Sequence, residues 1–243
     1  MRLPWIFLWA CLALAPAAEA ACRQALALGL DVSGSVDATE YRLQLDGLAA
    51  ALTAPDVQEA FLQFPQAPIR LMIYEWSGMS DQRELIAWRE ITSADQLGDI
   101  ANTLRQTASL KIDGPSTAIS AALQYGAQAL AQHPECWQRT LDISGDGPAN
   151  IGAHPGALSV DDLGQITVNA LVIGPQSRAN TTKNLNNVKT LETYFGAFVI
   201  RGPGAFIEVA TNHVDFANAM KRKLIRELDT PVLSLRGPLP RAH

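Results

Sequence analysis

Short apolar runs alternate with segments of helical periodicity along most of this chain, and the alternation limits the folds that it can adopt. The runs have strand length and lie at residues 24–30 (QALALGL), 69–76 (IRLMIYEW), 139–144 (RTLDIS), 166–174 (ITVNALVIG) and 205–210 (AFIEVA). Between them apolar residues recur every three or four positions, as in Tyr41, Leu45, Leu48 and Leu52. This order predicts an α/β fold: a single doubly wound, mostly parallel sheet with helices on both faces.

One further run predicts an antiparallel edge. Residues 84–91 (ELIAWREI) follow the second strand after the turn SGMSDQ, as the second strand of a hairpin would. The 243 residues are 48% hydrophobic and 18% charged, which supplies a core and excludes a disordered chain. The net charge of −5 disfavours a general nucleic-acid binder, so we expect no nucleic-acid partner.

The first twenty residues have the pattern of a secretory signal peptide. Arg2 precedes an apolar run over 3–14, and Ala18-Glu19-Ala20 fits the cleavage rule. The run is too short to cross a membrane, so we expect no stable membrane span after cleavage. Glu19 stands where a lipoprotein signal would have an aliphatic residue, which argues against lipidation of Cys22. The pattern predicts export to the periplasm or beyond.

No internal repeat or linker divides the rest of the chain. We therefore expect a signal peptide at 1–20, one domain at 21–229 and a Pro-containing C-terminal tail at 230–243.

Two cysteines remain after the expected cleavage, Cys22 and Cys136, in a compartment that permits disulfides. Cys22 lies nine residues before Asp31 and Cys136 ten residues before Asp146. If both stretches are neighbouring parallel strands, the two cysteines lie at matching positions at the amino ends of those strands, with their sulfurs close together. The spacing favours a disulfide, and a pair of buried free thiols is the alternative.

A D-x-S-x-S motif follows the first predicted strand directly. It brings Asp31, Ser33 and Ser35 to one turn, and Gly34 lets the backbone bend there. Their oxygens are hard donors, which suit Mg²⁺, Mn²⁺ or Ca²⁺. Thr117 and Asp146 add oxygen donors that are expected at the same end of the sheet as Asp31. Sheets of parallel strands bind ligands at the carboxyl ends of the strands.

Each of these residues also has an ordinary structural interpretation. Ser33 and Ser35 are suitable helix caps, Thr117 suits a helix N-terminus, and Asp146 suits a turn. Asp142 is a rival to Asp146, but its position within a strand favours a structural role. The joint occurrence of all five at strand ends favours metal binding.

The same residues resemble a known site. D-x-S-x-S, then a Thr that opens a helix, then Asp-Gly after a central strand is similar to the metal-ion-dependent adhesion site of von Willebrand factor A (VWA) domains. The resemblance covers nearly the whole expected mature chain, although Ser144-Gly145 is an unusual lead-in to Asp146-Gly147. The chain also resembles a group of exported bacterial VWA-like proteins of unknown function. The shared features are the two cysteine positions, Glu75-Trp76, ISGDGP, GPGAF and KRKLIREL.

The resemblance implies roles for the five residues. Asp31, Ser33, Ser35, Thr117 and Asp146 would surround Mg²⁺, or Mn²⁺ or Ca²⁺, with the two serine hydroxyls coordinating directly and the carboxylates partly through water. One position would stay open for a carboxylate of a partner protein. Two aspartates balance a divalent cation and leave it able to attract an anion.

Other residues carry weaker expectations. Glu75 and Trp76 end the second strand and are candidates for the rim of the site, or else for an edge residue and a packed aromatic. The histidines at 133, 154 and 213 lack metal-ligand spacing and are expected in solvated loops. The cations at 221, 222, 223 and 226 are expected on the wet face of the last helix.

The leading functional hypothesis is an exported, non-enzymatic binding module. The alternatives are a periplasmic hydrolase, metal-assisted or using Ser33 or Ser35, and a metal-free structural scaffold. The chain has no G-x-S-x-G motif, and no histidine is placed as an obvious base, so no catalytic residue is assigned.

Overall fold

The described part of the chain comprises residues 22–108, 116–175 and 182–229 of a computed structural model. The expected signal peptide at 1–20 and tail at 230–243 lie outside it. The strands are β1 (Cys22–Asp31), β2 (Ile69–Trp76), β3 (Gln82–Ile91), β4 (Cys136–Gly145), β5 (Thr167–Ile173) and β6 (Ile207–Ala210). The α-helices are α1 (Ala38–Leu52), α2 (Pro55–Leu62), α3 (Ala94–Gln106), α4 (Ile119–Leu130), α5 (Val160–Leu163), α6 (Thr182–Phe198) and α7 (Phe216–Leu228).

The six strands form one sheet in the order β3-β2-β1-β4-β5-β6. Every neighbouring pair is parallel except the β2–β3 hairpin, which is antiparallel. The predicted α/β class and its antiparallel edge are therefore confirmed. The chain goes from β1 outward to β2 on one side, and later returns to β4 on the other. This reversal leaves a crevice at the carboxyl ends of β1 and β4, where doubly wound sheets bind ligands.

Both faces of the sheet are covered, which explains why β1 is apolar without alternation. Leu26, Leu28 and Leu30 belong to the core under α1, α2, α3 and α7. Ala25 and Ala27 face the opposite core, under α4, α5 and α6. All ten residues of β1 are buried, as expected of a central parallel strand. In the described residues no helix is long and apolar enough to cross a bilayer.

A capping box fixes the start of α1. Asp37 Oδ1 accepts hydrogen bonds from the backbone N–H of Thr39 at 2.7 Å and of Glu40 at 2.8 Å. Glu40 Oε2 accepts in return from the backbone N–H of Asp37 at 3.0 Å. The helix therefore starts seven residues after Asp31, and the D-x-S-x-S motif occupies the turn between strand and helix.

The disulfide forms as predicted. Cys22 and Cys136 pair directly in the register of β1 and β4, and their sulfurs are bonded. The bond joins the amino ends of the two strands whose carboxyl ends carry Asp31 and precede Asp146.

The cationic last helix differs from the sequence-based expectation. Lys223 is fully buried, whereas Lys221 is partly exposed and Arg222 and Arg226 are exposed, as expected. The Lys223 Nζ lies 2.6 Å from Asp142 Oδ2 and 3.2 Å from Glu227 Oε2. The expectation of a solvent-facing position failed for Lys223 alone, because this residue occupies the core-facing stripe of α7, where two buried carboxylates compensate its charge. The structural role expected of Asp142 is confirmed.

Candidate metal site

The candidate site lies in the crevice between β1 and β4. Asp31 is the last residue of β1, and Asp146 follows the last residue of β4. The backbone N–H of Asp31 donates a 3.2 Å hydrogen bond to Ser144 Oγ, which itself lies 3.4 Å from the carbonyl of Gly29. The side chain of Ser144 therefore joins the two strands directly below the site.

Hydrogen bonds connect four of the five predicted residues. The Ser33 N–H donates to Asp31 Oδ1 at 2.8 Å, which folds the turn back onto its own carboxylate. The hydroxyls of Ser33 and Ser35 are 3.2 Å apart. The Ser35 hydroxyl donates to Asp146 Oδ1 at 2.7 Å. Two hydroxyls and two carboxylates thus gather within hydrogen-bonding distance at one end of the sheet.

The Asp31 carboxyl is in an unusual electrostatic position. Its side chain is buried, and its Oδ2 atom has no hydrogen-bond partner among the described residues. Burial, and next the negative charge of Asp146, raise the pKa of Asp31 to about 7. Hydrogen bonds from Ser33 and from the Asp146 backbone oppose this shift only in part. A buried carboxylate with one oxygen left without a partner is costly, and a bound cation would remove this cost.

Gly145 permits the close packing behind Asp31. A Cβ atom at position 145 would lie 2.8 Å from the ring of Phe195 and 3.5 Å from Asp31 Oδ2. A side chain there would push against the ring on one side and approach the carboxylate on the other. The Ser144-Gly145 lead-in therefore serves the site on both counts: a hydroxyl that anchors β1 and a residue without a side chain.

Thr117 reaches the same end of the sheet through its backbone. Its N–H donates to Asn150 Oδ1 at 2.8 Å, and its carbonyl accepts from the Asn150 N–H at 3.0 Å. The next N–H, of Ala118, donates to the Ser77 carbonyl at 2.7 Å. Ser77 directly follows Trp76, which pairs with Asp31 in the β1–β2 register. Loops after β2 and β4 thus hold Thr117 just before α4.

Two supports of the site, the buried Gln44 and the exposed Asn150, were not predicted from the sequence. Gln44 donates from Nε2 to the Asp31 carbonyl at 3.1 Å, and Asn150 holds Thr117 as described above. Gln44 had a readable signal, since it interrupts the apolar face of α1 between Tyr41 and Leu48. Asn150 had none, because its contact depends on the path of the loop after β4.

Glu75 and Trp76 do not supply surface at the rim. Both are buried, at 2% and 0% exposure. The Glu75 carboxylate lies 2.7 Å from the Arg83 Nε and accepts a 3.0 Å hydrogen bond from the Tyr41 hydroxyl. Trp76 is therefore the packed aromatic of the alternative expectation. Glu75 is not an edge residue, because β3 covers β2 and makes it an interior strand.

His213 also departs from expectation, because it is buried rather than solvated. Its ring lies 3.3 Å from Glu40, at the turn that leads into α7. Burial lowers the pKa of His213, although the nearby carboxylates of Glu40 and Asp146 oppose this. His154 is exposed as expected, and His133 is partly buried beside Glu135.

The donor set fits a hard divalent cation. It consists of carboxylate and hydroxyl oxygens, which Mg²⁺, Mn²⁺ and Ca²⁺ prefer. Within the described ranges no three His, Cys, Asp or Glu side chains gather as a metal site. The candidate site has two such side chains, and the other donors predicted for it are the hydroxyls of Ser33, Ser35 and Thr117.

Solved structures share this fold. A proximal thread matrix protein (PTMP1) from the mussel byssus aligns over 86% of this chain and 49% of its own, with 15% identity and a TM-score of 0.54. Another structure of that protein, with zinc in its MIDAS motif, gives 14% identity, coverage of 86% and 48%, and a TM-score of 0.56.

Two pilus proteins give similar values. The adhesin SpaC of Lactobacillus rhamnosus GG has 14% identity, coverage of 86% of this chain and 30% of its own, and a TM-score of 0.55. The minor pilin PilB of Streptococcus sanguinis has 12% identity, coverage of 86% and 62%, and a TM-score of 0.52. The chain thus spans less than two thirds of each of these proteins. At these identities the likeness establishes the fold alone.

Comparison of the sequences gives a second result. No curated protein matches significantly. The profile of a family described as "Protein of unknown function (DUF1194)" matches residues 21–232, which is most of the chain. The architecture is that of VWA domains, and the chain belongs to the DUF1194 family.

Proposed function

We propose that this protein is an exported, non-enzymatic binding module that captures a carboxylate of a partner protein through a divalent cation. Asp31, Ser33, Ser35, Thr117 and Asp146 would hold the cation, with Mg²⁺ as the first choice and Mn²⁺ or Ca²⁺ as alternatives. The bound ion supplies positive charge to an end of the sheet that otherwise presents two carboxylates.

The buried carboxyl of Asp31 is the observation that carries the proposal. Its Oδ2 lacks a hydrogen-bond partner in the described structure, and the Asp146 carboxylate nearby raises its pKa further. A stable protein rarely keeps two facing acids without a compensating group. The hydroxyls of Ser33 and Ser35 lie beside both acids and complete a set of oxygen donors suited to a cation.

The comparisons support the binding role and the export. The structural relatives include a pilus adhesin, a minor pilin and a matrix protein, and one of them holds zinc at its MIDAS motif. The disulfide and the signal-like first twenty residues favour an oxidising compartment, and we place the protein in the periplasm or outside the cell.

The charge balance explains why a carboxylate is the expected ligand. Two aspartates match a divalent ion without exceeding its charge, so the ion keeps an attraction for a third anion. Ser35 is exposed and Asp146 is half-buried, so the open side of the site faces solvent. A protein carboxylate can approach from there, and the ion would release it when chelated.

Calorimetric titration tests the metal site. The protein purified from the periplasm of a bacterial host is titrated with Mg²⁺ and with Mn²⁺, beside an Asp31→Asn variant. Asp46→Asn is the matched control, because Asp46 lies on α1 with half of its side chain exposed. We expect wild-type and Asp46→Asn protein to bind one ion per chain and Asp31→Asn to lose binding, with unchanged circular dichroism.

Either of two results would contradict the proposal. One is wild-type affinity in Asp31→Asn, which would place the ion elsewhere. The other is the absence of ion binding in the wild type even with a saturating acidic peptide present. That second result would favour a metal-free scaffold.

A further inference from the structure

Two exposed apolar side chains, Met79 and Ile151, lie on the loops that are hydrogen-bonded to the turn of Thr117, one of the proposed metal-site residues. Met79 is 49% exposed and Ile151 is 45% exposed. Large apolar side chains that remain half exposed on a folded protein are informative when they adjoin a site. We refer to this pair as the apolar rim.

The two loops that hold Thr117 carry the apolar rim. Met79 is two residues beyond Ser77, whose carbonyl accepts the Ala118 N–H. Ile151 directly follows Asn150, which makes two hydrogen bonds to Thr117. Since a chain advances at most about 3.6 Å per residue, both Cα atoms lie within about 7 Å of residues bonded to the Thr117 turn.

The two loops also touch each other. A Cβ atom at Gly152 would collide with Met79 Sδ, so the thioether lies directly against the backbone next to Ile151. Gly152 has a φ of 82°, which favours glycine at this turn. The close contact places Met79 directly against the backbone of the residue that follows Ile151, so the two loops present both apolar side chains from neighbouring positions.

The charges around the rim limit what it can face. Asp81 lies against Gly78 in the same loop as Met79, and Asp37 is exposed at the start of α1. A partner with several acidic residues would meet repulsion from these carboxylates. A single carboxylate for the ion, next to an uncharged apolar group for the rim, complements both parts.

We propose that the captured carboxylate belongs to a partner segment in which a bulky apolar residue lies one or two positions from the acidic residue. This rests on the proposed function, because the ion fixes where the carboxylate sits. The apolar neighbour then packs on Met79 and Ile151. The flexible thioether of Met79 suits a surface that adapts to Leu, Ile or Phe.

Defined peptides test this directly. The probes are acetyl-Gly-Gly-Glu-Gly-Gly-amide, acetyl-Gly-Leu-Glu-Leu-Gly-amide and the latter with Gln in place of Glu, each titrated into Mg²⁺-saturated protein. Burial of about 60 Å² of apolar surface predicts about a tenfold higher affinity for the Leu-containing acidic peptide. The Gln peptide should bind neither tightly nor in an Mg²⁺-dependent manner.

Variants assign the preference to the rim. The Met79→Ser, Ile151→Ser double variant should keep Mg²⁺ binding and lose the tenfold preference. Val160→Ser is the matched control, because Val160 is 64% exposed but lies at a cleft formed by the amino ends of β4 and β5. It should keep both properties.

The failures can be told apart. The proposed role of the apolar rim would be contradicted by equal Mg²⁺-dependent affinity for both acidic peptides, or by a preference that survives in the double variant. Neither result would contradict the metal site. Loss of all Mg²⁺-dependent peptide binding in the wild type would overturn carboxylate capture itself, and the rim with it.

Discussion

Ser35 donates a 2.7 Å hydrogen bond to Asp146, although 111 residues separate them along the chain. The contact closes the loop after β1 onto the loop after β4. It also aims a hydroxyl and a carboxylate at the same point, beside the buried acid of Asp31. The candidate site therefore depends on the side chain of Ser35 for both its shape and one of its donors.

Replacement of Ser35 tests this dependence. Ser35→Ala removes a proposed ligand and the hydrogen bond to Asp146, and we expect Mg²⁺ affinity to fall on the order of tenfold to a hundredfold. Ser35→Thr retains a hydroxyl and should restore most of the affinity in the same calorimetric titration. Equal affinity of the Ala variant and the wild type would exclude Ser35 as a ligand.

The raised pKa of Asp31 predicts the pH dependence of the metal-free protein. The pKa is about 7 when folded and about 3.9 when unfolded, so between these values the folded state holds a proton that the unfolded state releases. The free energy of unfolding should therefore fall as pH rises from about 4 to about 7, by about 4 kcal/mol from this group, and then level off.

Comparison with Asp31→Asn isolates that contribution. Urea denaturation of both proteins in EDTA, from pH 4 to pH 8.5, gives the difference in their free energies of unfolding at each pH. Burial also raises the pKa of Asp142, but Asp142 is present in both proteins and cancels in the difference. A difference that does not change with pH would contradict the raised pKa of Asp31.

Much of this architecture could be predicted because strand and helix periodicities are local. The runs at 24–30 and 69–76 are mostly apolar and have the length of a buried strand, and Asp37 with Glu40 defines a helix start. The matching positions of Cys22 and Cys136 in neighbouring strands followed from the nearly equal number of residues between each cysteine and the end of its strand. Helix α2 was missed because it is a single short amphipathic stretch that begins at Pro55.

The parts that failed are those where a polar residue is buried with a distant partner. Lys223 is a solvated cation by composition and becomes a core residue only because Asp142 lies across from it. Glu75 is buried because Arg83 and Tyr41 reach it from β3 and α1. Pairings of this kind depend on the strand order, which periodicity does not contain.

Removal of the disulfide should lower stability without displacing the site. The bond closes a loop of sequence separation 114, for which the chain-entropy model gives about 4–5 kcal/mol. We expect Cys22→Ser, Cys136→Ser protein to unfold at lower urea concentration by that free energy while keeping Mg²⁺ affinity, because the bond lies at the opposite ends of β1 and β4. Unchanged stability would indicate that the bond constrains little of the unfolded chain.

The buried cation of α7 gives the sharpest test of the core. Lys223→Ala leaves the carboxylates of Asp142 and Glu227 buried without their shared ammonium, and we expect a loss of about 3–5 kcal/mol in the free energy of unfolding. Lys221→Ala is the matched control on the same helix: its side chain is 40% exposed and pairs with Asp56 at the surface, so its loss should stay below about 1 kcal/mol. Urea denaturation at pH 8 measures both. Similar losses in the two variants would mean that removal of Lys223 does not leave the charges of Asp142 and Glu227 buried without compensation. Water or a rearranged α7 would then reach the two acids.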